Sequence, residues 1–220
     1  MPRMARLVVP DYPHHVTQRG SRRQKTFFCD DDYRYYIRLL AEFSSKAGTQ
    51  IWAYCLMPNH VHLVLVPSVE DGLRATLGET HRRYTRCINE REDWRGHLWQ
   101  ERFHSFVMDE GYLLATVRYV ERNPVTAGLC SHPEQWPWSS ANAHLSGEDD
   151  DLVKVRPMLE RVDDWQAYLA DDHCQPDQYE AIQHANRTGR PLGNERFIAH
   201  LEHVSGRILR LRKPGRKPQT

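Results

Sequence analysis

Two apolar runs, "QIWAYCLM" (50–57) and "HVHLVLV" (60–66), are separated only by Pro58 and Asn59. Both are rich in β-branched and aromatic residues and end at turn formers, which predicts two antiparallel strands joined by a tight hairpin. A two-stranded hairpin is at best marginally stable in water, so this one demands covering elements from the rest of the chain. Side chains alternate along a strand, so His60 and His62 share one face with Val64 and Val66, while Val61, Leu63 and Leu65 line the other. Two imidazoles about 7 Å apart at Cα can converge on one cation. A packed or surface histidine pair has the same spacing, and two ligands leave a metal site incomplete, since catalytic sites usually keep three protein ligands.

The other elements follow from periodicity and punctuation. "HHVTQR" (14–19) predicts a first strand. Asp30 to Asp32 can cap a helix running to about Ala47, with Tyr36, Ile37, Leu40, Ala41 and Phe43 at helical spacing and Gly48 as the stop. Ser68 and Asp71 resemble a capping box for a second helix to about Glu90, whose stripe is Leu73, Leu77, Tyr84 and Ile88. "LWQERFHSFVM" (98–108) predicts another strand, and Asp109 caps a helix over 110–123 that Pro124 ends. The order β, α, β, β, α, β, α suggests an α+β antiparallel sheet with helices, ferredoxin-like in its simplest form. Beyond it come an acidic linker or peripheral segment (147–176), a helical hairpin (177–205) capped at Asn194, and a basic tail (206–220). A short Gly-containing turn gives that hairpin the outline of a helix-turn-helix, an outline any helical hairpin shares.

Composition narrows the functional classes. With 220 residues, 40% hydrophobic and 27% charged, the chain can bury its own core. No apolar run reaches the roughly 20 residues of a bilayer span, and the opening "MPRMARLVVP" is too short in apolar residues for a signal peptide, which points to the cytoplasm. Five cysteines (29, 55, 87, 130 and 174) without C-x-x-C spacing argue against disulfides or a cysteine-held zinc. The net charge is only +1, but residues 148–172 hold nine acids against three bases, and the last sixteen residues hold six bases and no acid. Such segregation suits a polyanionic partner, although a solvated basic terminus gives the same count.

On the helix before Pro124, Tyr112, Thr116, Tyr119 and Asn123 fall along one stripe, with Leu113, Val117 and Val120 turned to a core. The following proline disfavours helical geometry at Asn123, leaving its amide at the helix end and free to ligate. A lone tyrosine on a helix is usually packing. Tyr119 beside a histidine pair and an amide instead has the makings of a nucleophile next to a metal.

"PNHVHLVLVP" together with "RYVERNPVTAGL" resembles the single-tyrosine HUH endonucleases, and among them the REP-associated tyrosine transposases. The likeness continues through "PHHVTQRG" (13–20), "LWQERFHSFVM" and "QWPWSSANAHL", covering roughly residues 10–145. "TGRPLGNERFIAHLE" is similar to an extension found in some members. The resemblance implies an HUH catalytic domain over 1–146, with His60 and His62 binding a divalent ion (Mg²⁺ or Mn²⁺), Asn123 as third ligand and Tyr119 as nucleophile. Val61 supplies the bulky apolar residue of the motif. It also implies single-stranded or hairpin-forming DNA as substrate.

The chemistry is consistent with that. A phenol, with a pKa of about 10, is a weak nucleophile but a good leaving group, which suits reversible transesterification of a phosphodiester without ATP. Arg19, Arg22, Arg23, Arg82, Arg83, Arg86 and Arg102 are candidate phosphate contacts, interleaved with aromatic rings able to stack bases. His104 is a candidate for orienting substrate or moving a proton, though packing accounts for it as well. Two other classes remain open at this point: a DNA-binding regulator that lacks strand transfer, and a metal-dependent hydrolase of small phosphoesters that does without Tyr119. Whether Tyr119 serves its own histidine pair or a partner subunit's is also open.

Overall fold

The computed structural model describes residues 6–171 and 176–210; residues 211–220 of the basic tail, and Cys174, lie outside them. The first part of the chain runs β1 (His14–Arg19), α1 (Asp30–Lys46), β2 (Thr49–Met57), β3 (His60–Pro67), α2 (Gly72–Arg91) and β4 (His104–Val107). Strand order is β2-β3-β1-β4, with every neighbouring pair antiparallel, which makes the sheet ferredoxin-like and the fold α+β. The apolar hairpin becomes the β2–β3 half of the sheet. Its near-continuous hydrophobicity has the expected cause: β3 is covered on both faces.

Under one face, Val61, Leu63 and Leu65 pack with Leu40 of α1 and with Leu73, Leu77, Tyr84 and Ile88 of α2. The other face, with Ala53, Cys55, Met57, Val64 and Phe106, is covered by α3 (Glu110–Glu121) through Leu113, Val117 and Val120. Asp109 caps α3 by accepting the backbone N–H of Tyr112, as predicted. Pro124 acts differently from the prediction. It opens a further turn, α4 (Asn123–Thr126), at a position where its missing N–H costs nothing.

Other differences have local causes. Cys29, not Asp30 to Asp32, is the N-cap of α1; Asp32 instead accepts the backbone N–H groups of Phe28 and Cys29 and pairs with Arg91. Asp71 precedes α2 but gives its carboxylate to Arg74, so the capping box does not form. The strand expected over 98–108 shrinks to four residues, because Leu98, Trp99 and Phe103 turn into the α1–α2 core and Glu101 takes a left-handed φ of 56°.

The acidic segment is no linker. After α5 (Ala141–Ser146) it lays Leu152 and Val153 into the core, forms α6 (Arg156–Leu159) and α7 (Trp165–Ala170), and buries Met158, Trp165 and Leu169 against the α3 side of the sheet. Its acids close turns: Asp150 accepts the N–H groups of Leu152 and Val153, and Asp149 that of Val155. The helical hairpin also joins the sheet. α8 (Pro176–Thr188) buries Ile182 and Ala185 in the α3-side core, α9 (Glu195–Ser205) sets Phe197 and Leu201 against Val107, and Leu192 between them bridges to Met108. Val204, near the end of α9, is 60% exposed. No helix among the described residues is long and apolar enough to cross a membrane.

One polar cluster ties α3 in place. Glu121, fully buried, accepts from Ser140 Oγ (2.5 Å), from His144 Nδ1 (2.6 Å) and from Trp165 Nε1 (3.0 Å), while Ser140 also bonds the backbone of Tyr54 in β2. Removing one partner from such a cluster leaves the others buried and uncompensated. Glu121→Ala is expected to cost about 3–5 kcal/mol in a urea-unfolding measurement, more than a typical surface substitution by several-fold.

Candidate active site

The sheet register builds the site. His60 lies opposite Arg19, His62 opposite Thr17, and Thr17 opposite His104 on its other side, so these side chains share the α3 face. Further along, His15 lies opposite Val64 and Phe106. The face is therefore polar at the hairpin end and apolar toward the middle, where α3 packs.

Each imidazole has its Nδ1 engaged. Asn59 donates through Nδ2 to the Arg23 carbonyl (3.1 Å), which turns its Oδ1 to His60 Nδ1 at 2.6 Å. That oxygen accepts the Nδ1 proton, so His60 keeps its lone pair at Nε2. His62 Nδ1 is 3.0 Å from His15 Nε2, and its Nε2 is 3.4 Å from Asn123 Nδ2. The Asn123 side chain also favours the protonated imidazole of His60 and the phenolate of Tyr119 electrostatically. The Tyr119 ring stands edge-on to His62 with centroids 5.5 Å apart and to His15 at 5.9 Å. Tyr119 thus meets the histidine pair of its own chain. All four lie on one cavity of about 650 Å³.

Electrostatics set the protonation states. Burial, reinforced by Arg19, lowers His60 to about 4. His62 falls well below the usual imidazole value through burial and its neighbours His60, His15 and Arg19. Both rings are neutral donors at neutral pH. Burial, with Tyr179 adding to it, pushes Tyr119 up to about 12, against the opposing effects of Asn123 and Arg19. No cluster of three His, Cys, Asp or Glu side chains able to hold a metal occurs among the described residues. The Asn123 amide is the further polar side chain beside His62.

The remaining candidates divide. Arg19 and His104 line the cavity. Arg22 and Arg102 border an adjoining depression with Trp99 and Gln100, and Arg23 reaches the site through its carbonyl on Asn59. Arg22 and Arg23 both hold left-handed backbone (φ 53° and 62°), an unfavourable conformation for arginine that clusters at functional sites. Arg82, Arg83 and Arg86 are not brought to the cavity. They stand on α2, across the sheet, where Arg82 and Arg83 pair with Glu79 and Arg86 with Glu90. Conversely, Tyr179, Gln183, Asn186 and Arg187 of α8 line the cavity without having been singled out in the sequence, and His15 was quoted there only as part of a motif.

The profile of the family described as "Transposase IS200 like" matches residues 8–123, a span that holds His60, His62, Tyr119 and Asn123. The chain belongs to this transposase family. Among solved structures, the transposase fold described above is similar to a REP-associated tyrosine transposase bound to a REP hairpin, at 19% identity and a TM-score of 0.58, covering 69% of this chain and 90% of that one. A protein described as a transposase from Deinococcus radiodurans R1 matches at 21% identity and a TM-score of 0.39, over 55% of this chain and 96% of that one. No curated protein sequence matches the transposase.

Neutral buried imidazoles have a pH signature. His60 has a folded pKa of about 4 against 6.5, so its contribution to stability is complete above pH 6.5 and is lost as pH falls toward 4. The urea midpoint of the wild-type transposase is expected to drop over that window, and that of His60→Gln to drop less.

Proposed function

We propose that this transposase cleaves and rejoins single-stranded or hairpin-flanking DNA by transesterification at Tyr119. The observation that carries the reading is the meeting of Tyr119, His60, His62 and Asn123 within one chain. Tyr119 Oη attacks the scissile phosphorus and gives up its proton; the bond to the 3′ oxygen breaks, leaving a 5′ phosphotyrosine and a free 3′ hydroxyl. The reverse attack by a 3′ hydroxyl restores a phosphodiester, so the bond energy is conserved.

The donor set fits a divalent cation: two neutral imidazoles and an amide, of which the imidazoles favour Mn²⁺ over Mg²⁺ by ligand preference. His60, His62 and Asn123 would hold it. When bound, the cation supplies charge to polarise the scissile phosphate and to stabilise a phenolate. The chain's own part is positional. The packing of α3 sets Tyr119 edge-on to His62, and Asn123 and Arg19 both favour its phenolate. Arg19 and Arg187 in the cavity, with Arg22 and Arg102 beside it, offer phosphate contacts. The α2 arginines, already paired with carboxylates on the far side of the sheet, have no part in this site.

Incubation of the full chain with Mn²⁺ and an end-labelled hairpin oligonucleotide with single-stranded flanks is expected to give a protein-linked band on a denaturing gel. Tyr119→Phe should abolish that band while retaining binding, and His62→Ala should reduce the cleavage rate by at least about 10²-fold. A probe that is shifted but never cut would identify a binding protein instead. Turnover that survives Tyr119→Phe would identify a hydrolase that does not use the phenol.

A further inference from the structure

His14 and His15 are neighbours on β1, both fully buried, and they use their ring nitrogens differently. His14 is satisfied by backbone: its Nε2 accepts the N–H of Val9 at 3.1 Å and its Nδ1 meets the Tyr12 carbonyl at 2.8 Å. That is a structural histidine, holding the segment before β1 against the sheet. His15 instead meets His62 Nδ1 through its Nε2 at 3.0 Å, with the two ring planes 7° from parallel and their centroids 5.2 Å apart. Its other contacts are edge-on aromatic packing against Phe106 and Tyr119. In that apolar setting a phenyl ring would fit, so an imidazole needs a reason.

The facing nitrogens share one proton, and its position decides what His62 can do. If His15 Nε2 carries it, His62 must be protonated at Nε2 and has no lone pair toward the cavity. If His62 Nδ1 carries it, Nε2 is a free donor and His15 is protonated at Nδ1. His15 Nδ1 is buried and has no partner within hydrogen-bond distance among the described residues. His15 Nδ1 is thus the one nitrogen of the linked pair that the sheet leaves without a partner. Asn59 already does for His60 what this arrangement does for His62.

We propose that His15 is a positioning residue of the cation site: it accepts the Nδ1 proton of His62 at 3.0 Å and so presents His62 Nε2 to a divalent cation. The inference rests on the cation-binding reading given under Proposed function. A partner of a metal-binding histidine fixes both its tautomer and its ring orientation.

NMR of the full chain with ¹⁵N-labelled histidine and no added cation reads the tautomer directly. The expected result is a His62 ring protonated at Nδ1; a ring protonated at Nε2 overturns the proposal, whatever the behaviour of any variant. Mn²⁺ titration of the same chain supplies the second measurement. His15→Phe, which keeps the ring stack but cannot accept a proton, should weaken Mn²⁺ binding about 10- to 100-fold. His15→Gln, whose amide oxygen can accept, should recover most of that loss. Normal wild-type affinity that is unchanged in His15→Phe overturns the role of His15 alone. A wild-type chain that binds Mn²⁺ no better than His60→Ala overturns the cation site itself.

Discussion

The alternation of side chains along β3 is the constraint on which the molecule rests. Val61, Leu63 and Leu65 belong to the core under α1 and α2, and Val64 to the core under α3. A slip of one residue would exchange the two sets and put two imidazoles into a dry aromatic core. The hydrophobic packing of both faces therefore also fixes which way His60 and His62 point. Site geometry and fold stability are set by the same register.

The chemistry of the site follows from how dry that register makes it. Burial keeps the histidines neutral and holds Tyr119 protonated. Arg19, across from His60, is a permanent charge that acts on the imidazoles and the phenol alike, and Arg187 and Glu101 line the same cavity.

Much of this was legible in the sequence because it depends on short-range pattern. The hairpin, the histidine face, the α3 cap at Asp109 and the stripe of Leu113, Val117 and Val120 all follow from period and punctuation, and the structure has them. What escaped depends on contacts distant in sequence. Nothing local indicates that Asp149 and Asp150 close turns against the sheet, that Leu98 and Trp99 leave the strand for the core, or that α8 returns to line the cavity. The arginines of α2 lie away from the cavity, and a basic cluster on a helix reads the same whether its partner is a phosphate or a glutamate one turn away. His15 was recoverable: strand parity alone puts it on the side of β1 that carries Thr17 and Arg19.

Glu121 sits between Tyr119 and Asn123 in the chain, yet its carboxylate is buried on Ser140, His144 and Trp165. Through Ser140 these anchors reach the backbone of β2. The last turn of α3 is thus bolted to the sheet, and if a polynucleotide were tethered to Tyr119 as proposed, its pull would load the sheet rather than peel that turn away.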